Sequence, residues 1–351
     1  MTHPPDDSAP SHRRRPRYRG THPRRFEEKY KELAAEQFPE LVAHVLAKGI
    51  TPAGQHVPIM VEAVLEVLAP QPGERAVDAT LGWGGHAGRL LARLVPGGQL
   101  LGLDADPLEL PRTEARLRRL GFEEHTFFAK RSNFAGMRAA LDALGWVDGA
   151  DIVLADLGVS SMQIDNPVRG FSYATDGPLD MRMNPERGLS AAAWLERASV
   201  AALATTLADH ADEPFAEVIA TQLAAHRGQL TTTQALAFAV RQALECHARE
   251  DAIEQSVRRV FQALRIEVND ELGALDALLR QLQYCLRPGG RAAILTFHSG
   301  EDRRVKHAFE QGERDGTYIA ISTDVIRASA EERYANPRSR SAKLRWARRA
   351  D

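Results

Sequence analysis

Residues 75–86 read Arg-Ala-Val-Asp-Ala-Thr-Leu-Gly-Trp-Gly-Gly-His, a short apolar run that ends in an aspartate and continues into a glycine-rich loop. A predicted helix follows from Gly88 to Leu94. Glycines in such a loop let the backbone approach a ligand closely, and a helix start offers N–H groups that have no partner inside the helix. The spacing Gly82-x-Gly84-x-x-Ala87 also satisfies a loose dinucleotide fingerprint. The loop therefore predicts a nucleotide-like cofactor without deciding which one.

The aspartates that end the predicted strands indicate which cofactor the loop binds. Asp78 lies four residues before Gly82, where a carboxylate suits a cationic ligand with a free amino group and fits a pyrophosphate poorly. Asp104 ends the next predicted strand, where an acid can accept hydrogen bonds from ribose hydroxyls. Both candidate cofactors carry a ribose, so Asp104 does not separate them. We therefore expect S-adenosylmethionine, with a nicotinamide-dependent oxidoreductase as the alternative.

Outward from the loop, short apolar runs alternate with helical segments. Predicted strands cover 75–78, 99–104, 125–130 and 151–156, and predicted helices cover 88–94, 108–120 and 134–144. Strands that alternate with helices of this length are typical of right-handed βαβ units around a parallel sheet. Ligands sit beyond the carboxyl ends of such strands. We therefore expect Asp78, Asp104 and Asp156 to meet at one edge of the sheet.

The alternation stops after residue 156 and returns near the C-terminus. Residues 157–190 hold many turn-forming residues, and residues 191–263 are Ala-rich and helical without strand-like runs. A helix predicted over 265–286 then precedes a strand at 291–297, a helix at 303–311 and weaker strands at 318–322 and 343–347. This order predicts a sheet domain formed by 56–164 and 264–351, with an all-helical subdomain at 165–263 inserted into it.

Composition and charge limit the classes of protein to consider. The chain has 351 residues, a formal net charge of −2 and two cysteines, Cys246 and Cys285. It contains no apolar run near the roughly 18 residues that a membrane helix needs, and two distant thiols form neither a disulfide framework nor a zinc site. We therefore expect a cytoplasmic protein without a metal. Residues 1–25 are predicted to be a disordered basic tail, followed by a helical N-terminal extension at 26–55.

Longer blocks of sequence carry a family resemblance from His56 to the C-terminus. They are Gly84-Gly-His86, Asp156-Leu-Gly-Val-Ser-Ser-Met-Gln163-Ile-Asp165, Arg169-Gly-Phe-Ser-Tyr173, Asp176-Gly-Pro-Leu-Asp-Met-Arg-Met183, Phe261-Gln-Ala-Leu-Arg-Ile-Glu-Val-Asn269, Pro288-Gly-Gly-Arg291, Phe297-His-Ser299 and Asn336-Pro-Arg-Ser-Arg-Ser341. In this order the blocks resemble the bacterial ribosomal RNA small subunit methyltransferase H family, which methylates the exocyclic N4 of a cytidine in the decoding region. One departure is Gly300, where the family usually has Leu.

The resemblance implies a doubly wound, Rossmann-like S-adenosylmethionine methyltransferase domain with an inserted all-helical subdomain for substrate recognition. It implies small-subunit ribosomal RNA or a ribosomal subunit particle as the partner, with no membrane and no metal, and leaves the oligomeric state open. The cofactor contacts that it implies are Gly84, Gly85, His86, Asp104, Phe134, Asp156 and Gln163, and the charge argument above adds Asp78.

Asp156 is the candidate catalytic residue. The cytosine N4 amine is a poor nucleophile, and a carboxylate that accepts one of its hydrogens helps the nitrogen to react and to lose its extra proton. The usual amino-methyltransferase signature at this place is Asp/Asn/Ser-Pro-Pro-aromatic, whereas this chain has Asp156-Leu-Gly-Val159. A role for Asp156 in cofactor binding alone is the alternative. The intact acidic edge argues against a non-catalytic RNA-binding protein on the same fold.

Basic residues in two blocks are candidates for RNA binding. The C-terminal block contributes Arg338, Arg340 and Lys343, whose charges can contact a phosphate backbone. For Arg338 and Arg340 the alternative is that they pair with carboxylates at the sheet edge and support the fold. Arg169 and Arg182 can likewise contact phosphate, or pair with Asp165 and Asp180, and the sequence favours neither alternative.

Overall fold

The protein is described by a computed structural model over residues 58–351. The tail predicted at 1–25 and the helical extension predicted at 26–55 therefore lie outside the described residues. The strands within 58–351 are β1 (Arg75–Asp78), β2 (Gln99–Asp104), β3 (Phe127–Arg131), β4 (Ala150–Asp156), β5 (Leu286–Thr296), β6 (Tyr318–Ile321) and β7 (Lys343–Arg349). They form one seven-stranded sheet in the order β3-β2-β1-β4-β5-β7-β6.

The sheet is parallel through its first five strands. Strand β7 then runs antiparallel to β5 and β6. This arrangement confirms the predicted doubly wound α/β fold class. The chain reverses its order across the sheet between β1 and β4, and such a switch point creates a crevice at the carboxyl ends of the strands.

The helices divide into three groups along the chain. Before the insertion lie α1 (Val61–Leu68), α2 (Gly85–Leu94), α3 (Glu109–Arg119), α4 (Met137–Ala143) and α5 (Ser161–Asp165). The next group comprises α6 (Ala191–Arg197), α7 (Val200–Ala211), α8 (Ala216–Ala225), α9 (Thr233–Leu244) and α10 (Glu250–Asn269). The last comprises α11 (Glu271–Cys285), α12 (Ser299–Arg314) and α13 (Ala330–Ala335). None of the helices in 58–351 is long and apolar enough to cross a membrane.

Alternate strand residues build two hydrophobic layers, one on each face of the sheet. Val77, Leu101 and Val153 belong to the layer that includes α4, α11 and α12. Their neighbours Ala76, Leu100 and Ile152 belong to the layer that includes α1, α2 and α3. Successive side chains of a strand point to opposite faces, so a strand covered by helices on both sides must be apolar at every position. This requirement explains the uninterrupted apolar runs of β1, β2 and β4.

The helical group α6–α10 has a hydrophobic core of its own. Its buried cluster runs from Leu179 to Leu264 and is separate from the two layers on the sheet. An isolated bridge between Pro178 and Thr232 closes the beginning of this segment onto the start of α9.

The predicted boundary between the helical subdomain and the sheet domain, at residues 263 and 264, does not coincide with the end of a helix. It falls inside α10, and the single helix predicted over 265–286 is in fact the end of α10 followed by α11. The two helices are divided at Asp270, whose backbone has a left-handed φ of 48°. Val260, Phe261 and Leu264 are buried along α10, so one continuous apolar face carries the helix across the change in composition. Helix α10 therefore connects the helical group to the sheet.

Candidate active site

A cavity of about 830 Å³ opens at the carboxyl ends of the strands. All eight predicted cofactor contacts line it: Asp78, Gly84, Gly85, His86, Asp104, Phe134, Asp156 and Gln163. Among the residues predicted to bind RNA, Arg338 lines it as well. The strand order brings these side chains together, because the ends of β2, β1 and β4 are neighbours at one edge of the sheet.

The glycine-rich loop is held tightly against α3. The Thr113 hydroxyl donates to the carbonyl oxygen of Gly82 at 2.6 Å. Gly84 has φ 70°, and a Cβ on it would lie 2.9 Å from Thr113 Cγ2. A side chain at Gly84 would therefore be strained both by its own backbone and by α3. Helix α2 begins at Gly85, three residues earlier than predicted, so its free N–H groups lie within the loop itself.

Asp104 organises the loop from the neighbouring strand. Its Oδ2 accepts the backbone N–H of Gly82 at 2.7 Å, and its Oδ1 accepts the backbone N–H of Asp106 at 2.8 Å. Burial raises the pKa of Asp104 to about 6, even though these two N–H groups lower it. Each carboxylate oxygen still has a lone pair, so the side chain can accept ribose hydroxyls without giving up its contacts.

Asp78, His86 and Asp156 form an acidic group that lines the cavity, and the first two of them are buried. His86 Nε2 lies 3.6 Å from Asp156 Oδ2. Burial raises the pKa of Asp78 to about 6, against the opposing effect of His86. Burial alone would lower the pKa of His86, but the carboxylates of Asp156 and Asp78, with that of Glu332, raise it above its ordinary value. The group therefore carries more carboxylates than cations.

The unpaired atoms of this group fit the predicted cofactor. His86 Nε2 and Asp156 Oδ1 are buried and find no hydrogen-bond partner within residues 58–351. Buried polar atoms are normally hydrogen-bonded, so a bound group is expected to complete them. S-adenosylmethionine offers a sulfonium and a protonated amino group to the carboxylates, and ribose hydroxyls to Asp104. A pyrophosphate would instead meet buried carboxylates of its own sign.

Gln163 and Arg169 meet at a buried aspartate that sequence reasoning missed. Asp106 Oδ2 accepts Gln163 Nε2 at 2.8 Å and Arg169 Nη1 at 2.7 Å. The Gln163 Oε1 atom accepts the backbone N–H of Ser160 at 2.9 Å, which completes a capping box at the start of α5. Arg169 Nη2 also donates to the carbonyl oxygens of Arg182 and Met183. This network joins the loops that follow β2 and β4.

The expectation that Arg169 contacts phosphate is wrong. Its side chain is 8% exposed and forms an ion pair with Asp106, so no RNA backbone can reach the guanidinium. The alternative that it pairs with a carboxylate is correct, but the partner is Asp106 and not Asp165. Arg182 pairs with Asp180 at 2.7 Å, which was the alternative to a phosphate contact for this residue.

The C-terminal cations occupy three different surroundings. Arg338 pairs with Asp165 at 2.9 Å and remains one-third exposed at the cavity. Arg340 is exposed. Lys343, by contrast, pairs with Asp302 at 3.0 Å beside Arg345, which contacts the same carboxylate. Lys343 and Arg338 therefore both have carboxylate partners, and Arg340 is the most exposed of the three.

The cavity is also lined by residues for which the sequence analysis predicts no role. Arg265 Nε and Nη2 donate to the two carboxylate oxygens of Glu271, each at 2.8 Å. Glu301 Oε2 accepts the backbone N–H of Phe297 at 2.7 Å, and both of these residues line the cavity. Arg265 and Phe297 belong to blocks that carry the family resemblance, but no spacing in those blocks indicates that they meet.

Trp83 and Arg116 are a second pair that the sequence did not reveal. The Arg116 guanidinium carbon lies 4.5 Å from the centre of the Trp83 ring, which lines the cavity within the glycine-rich loop. Burial, with Arg119 nearby, lowers the pKa of Arg116 to about 9. A buried cation on an aromatic face stabilises the ring position, so Arg116 supports the loop from behind.

Residues 53–350 match the sequence profile of the MraW methylase family. The chain is 46% identical to ribosomal RNA small subunit methyltransferase H 1 of Lachnoclostridium phytofermentans, covering 99% of this chain and 96% of that protein. It is 47% identical to ribosomal RNA small subunit methyltransferase H 2 of Alkaliphilus metalliredigens, covering 98% of this chain and all of that protein. Among solved structures, the fibrillarin of Aeropyrum pernix with bound S-adenosyl-L-methionine aligns with a TM-score of 0.35 at 12% identity, covering 82% of this chain and 73% of that one.

Proposed function

This chain belongs to the MraW methylase family, and we propose that it methylates the exocyclic N4 of a cytidine in the decoding region of small-subunit ribosomal RNA. The family is S-adenosylmethionine-dependent. The observation that carries the proposal is that all eight predicted cofactor residues line one cavity, with Asp156 among them. The alternative that the glycine-rich loop belongs to a nicotinamide-dependent oxidoreductase is wrong, because the chain is a methylase.

Different residues of the cavity are suited to different parts of the cofactor. Asp104 is suited to the ribose hydroxyls, Phe134 to the adenine, and Asp78 to the amino group. The glycine-rich loop lets the backbone approach closely, and the start of α2 offers N–H groups. When bound, S-adenosylmethionine supplies an electrophilic methyl group on a sulfonium.

Asp156 is held in place at the cavity by the end of β4. Its backbone N–H donates to the Thr80 hydroxyl at 2.6 Å, which fixes the end of β4. Oδ2 lies on the side of His86, and Oδ1 is the buried atom without a partner in 58–351. The Asp156 carboxylate, which keeps about a quarter of its surface exposed at the cavity, accepts an N4–H of cytosine, orients the amine and receives the proton that the methylated nitrogen loses.

The RNA must present its base unstacked, because the site lies at the bottom of a cavity. A base inside a helix cannot reach such a depth, so the target nucleotide has to be in a single-stranded or opened region. Arg338 at the cavity and the exposed Arg340 are the candidates that hold the RNA backbone near the entrance. A ribosomal RNA substrate also implies a cytoplasmic location.

Nucleoside analysis by mass spectrometry tests the proposal. Small-subunit ribosomal RNA from a strain that lacks the gene is expected to lose one N4-methylated cytidine, and fragment analysis locates the nucleotide. Complementation with the wild-type gene should restore the modification, whereas Asp156→Asn should not. An unchanged nucleoside profile in the deletion strain contradicts the proposed substrate. Restoration by the Asp156→Asn variant contradicts the catalytic role alone.

A further inference from the structure

The ends of four neighbouring strands form a row along the cavity, and the last of them has no role in cofactor binding. The order β2-β1-β4-β5 places Asp104, Asp78 and Asp156 in succession, and Phe297 follows the end of β5. Neighbouring strands lie about 4.8 Å apart, so the row extends roughly 14 Å. In the proposed function Asp104 and Asp78 hold the cofactor, and Asp156 receives the target amine. The part of the cavity beside β5 is left for another ligand group.

Phe297 presents an aromatic ring next to the catalytic candidate. Leu295 lies directly opposite Asp156 in the β4–β5 pairing, so Phe297 is two residues beyond that register. The ring is half-buried and lines the cavity. A Cβ on Gly158 would lie 3.8 Å from Phe297 Cδ2, which means that the loop after Asp156 has no side chain at its closest approach to the ring.

The loop after β4 has no aromatic residue, and the Phe297 ring is an aromatic side chain that follows the neighbouring strand β5 instead. The sequence there is Asp156-Leu-Gly-Val159, without the aromatic side chain that amino-methyltransferases usually carry at that place. The backbone N–H of Phe297 donates to Glu301 Oε2 at 2.7 Å, and this contact fixes the residue at the start of α12. An aromatic surface is therefore supplied from β5 in place of β4.

Polar side chains that line the same cavity as the ring suit the edge of a pyrimidine. Arg265 and Glu271 are two of them, and Arg265 donates from Nε and Nη2 to the Glu271 carboxylate. A guanidinium nitrogen can donate to the O2 or N3 acceptors of cytosine, and carboxylates accept from its amine. A stacking face together with such donors and acceptors is how unstacked bases are held in proteins.

We infer that Phe297 is the residue on which the target base stacks, in the part of the cavity beside the ends of β4 and β5. This inference rests on the proposed function and adds the base-binding residue to it. The stacked base then lies next to Asp156, on the opposite side of that residue from Asp78 and Asp104.

Three variants separate stacking from a loss of packing. Phe297→Leu keeps an apolar side chain without the ring, and Phe297→Tyr keeps the ring. Phe122→Leu is the matched control, because Phe122 is also partly buried against the same face of the sheet but does not line the cavity. For each enzyme, kcat/KM is measured with small-subunit particles from the deletion strain, and the Kd for S-adenosylmethionine by calorimetry.

Phe297→Leu is expected to lower kcat/KM for the RNA roughly tenfold to hundredfold, the usual range for one base–aromatic stack, with the cofactor Kd within about twofold of wild type. Phe297→Tyr and Phe122→Leu should retain most of the activity. In a second measurement, an RNA with an abasic site at the target position should bind wild type and Phe297→Leu equally.

The outcomes distinguish this inference from the proposed function. If the wild-type enzyme methylates the particles while Phe297→Leu behaves like Phe122→Leu, stacking on Phe297 is overturned and the proposed function stands. An equal loss in Phe297→Tyr and Phe297→Leu overturns it too, because the ring would not be what matters. If the wild-type enzyme transfers no methyl group to small-subunit RNA, the proposed function fails and this inference fails with it.

Discussion

Asp104 Oδ2 accepts the backbone N–H of Gly82 at 2.7 Å, so the carboxylate that ends β2 holds the loop that follows β1. The second oxygen holds the backbone N–H of Asp106, and the Asp106 side chain in turn binds Gln163 and Arg169. The loops after β1, β2 and β4 are therefore connected through two acidic residues two positions apart, Asp104, which lines the cavity, and Asp106, which is fully buried.

Replacing Asp104 with Ala is expected to weaken cofactor binding by about 1–3 kcal/mol, because the ribose hydroxyls lose their acceptor in a buried site. The same change should lower the melting temperature of the cofactor-free protein, since the Gly82 N–H also loses its partner. Calorimetry and thermal unfolding measure the two effects. Asp148→Ala, at an exposed position, serves as control. A cofactor Kd equal to that of the control would exclude Asp104 from the ribose site.

Cofactor affinity is expected to rise with pH through about 6. Burial raises the pKa values of Asp78 and Asp104 to about 6 in the protein alone, and a cationic amino group and ribose hydroxyls both favour the ionised carboxylates. Below pH 6 the ligand must displace protons, so its Kd increases as the pH falls. Above pH 7 the Kd should level off.

Isothermal titrations between pH 5 and 8 measure this dependence, with Asp78→Asn as the comparison. The variant should bind more weakly above pH 7 and should show a flatter curve, because one of the two titrating groups is gone. A wild-type Kd that does not change over this range would contradict the assignment of the two carboxylates to the cofactor.

Asp156→Asn is expected to reduce kcat for RNA methylation by about a hundredfold or more, within the usual range for a lost acid–base group. The amide keeps the shape of the side chain, so the cofactor Kd should change little. Asp151→Asn is the matched control, because Asp151 lies on the same strand at its opposite end and pairs with Arg287. Equal activities of the two variants would show that Asp156 takes no part in the reaction.

Replacing both Arg338 and Arg340 with Ala is expected to weaken RNA binding and to reduce the log–log salt slope by roughly one to two units. The cofactor Kd should be unchanged. Loss of the partly exposed pair between Arg338 and Asp165 should cost about 1 kcal/mol of stability. Early melting together with an unchanged salt slope would show that the two arginines support the fold, and would direct the search for the RNA surface to α6–α10.

Arg169→Ala is expected to destabilise the protein by about 3–5 kcal/mol, because it leaves the buried Asp106 carboxylate without its cation. Denaturant unfolding measures this change. Arg182→Ala is the comparison, since its pair with Asp180 is less buried, and it should cost much less. Normal stability of Arg169→Ala combined with weaker RNA binding would instead favour the phosphate contact that the burial of Arg169 excludes.

Much of the sheet and of the cofactor site was predictable, because both depend on local patterns. Apolar runs of strand length that end in Asp78, Asp104 and Asp156 identify three neighbouring strand ends. The glycines at 82 and 84 indicate a backbone with positive φ and a close approach. In a parallel sheet the carboxyl ends of all strands lie along one edge. Residues at those ends are therefore brought together without any specific long-range contact between their side chains.

The order of strands and helices along the chain, the glycine loop and the acidic edge thus follow from patterns in the sequence. Only the folded structure shows that Arg169 pairs with Asp106 and not with Asp165, that α10 continues past residue 264, and that Phe297, Arg265 and Glu271 line one cavity. The difference arises from separation along the chain. A strand or turn is fixed by neighbouring residues, whereas partners across 63 positions are chosen only when separate loops pack against each other.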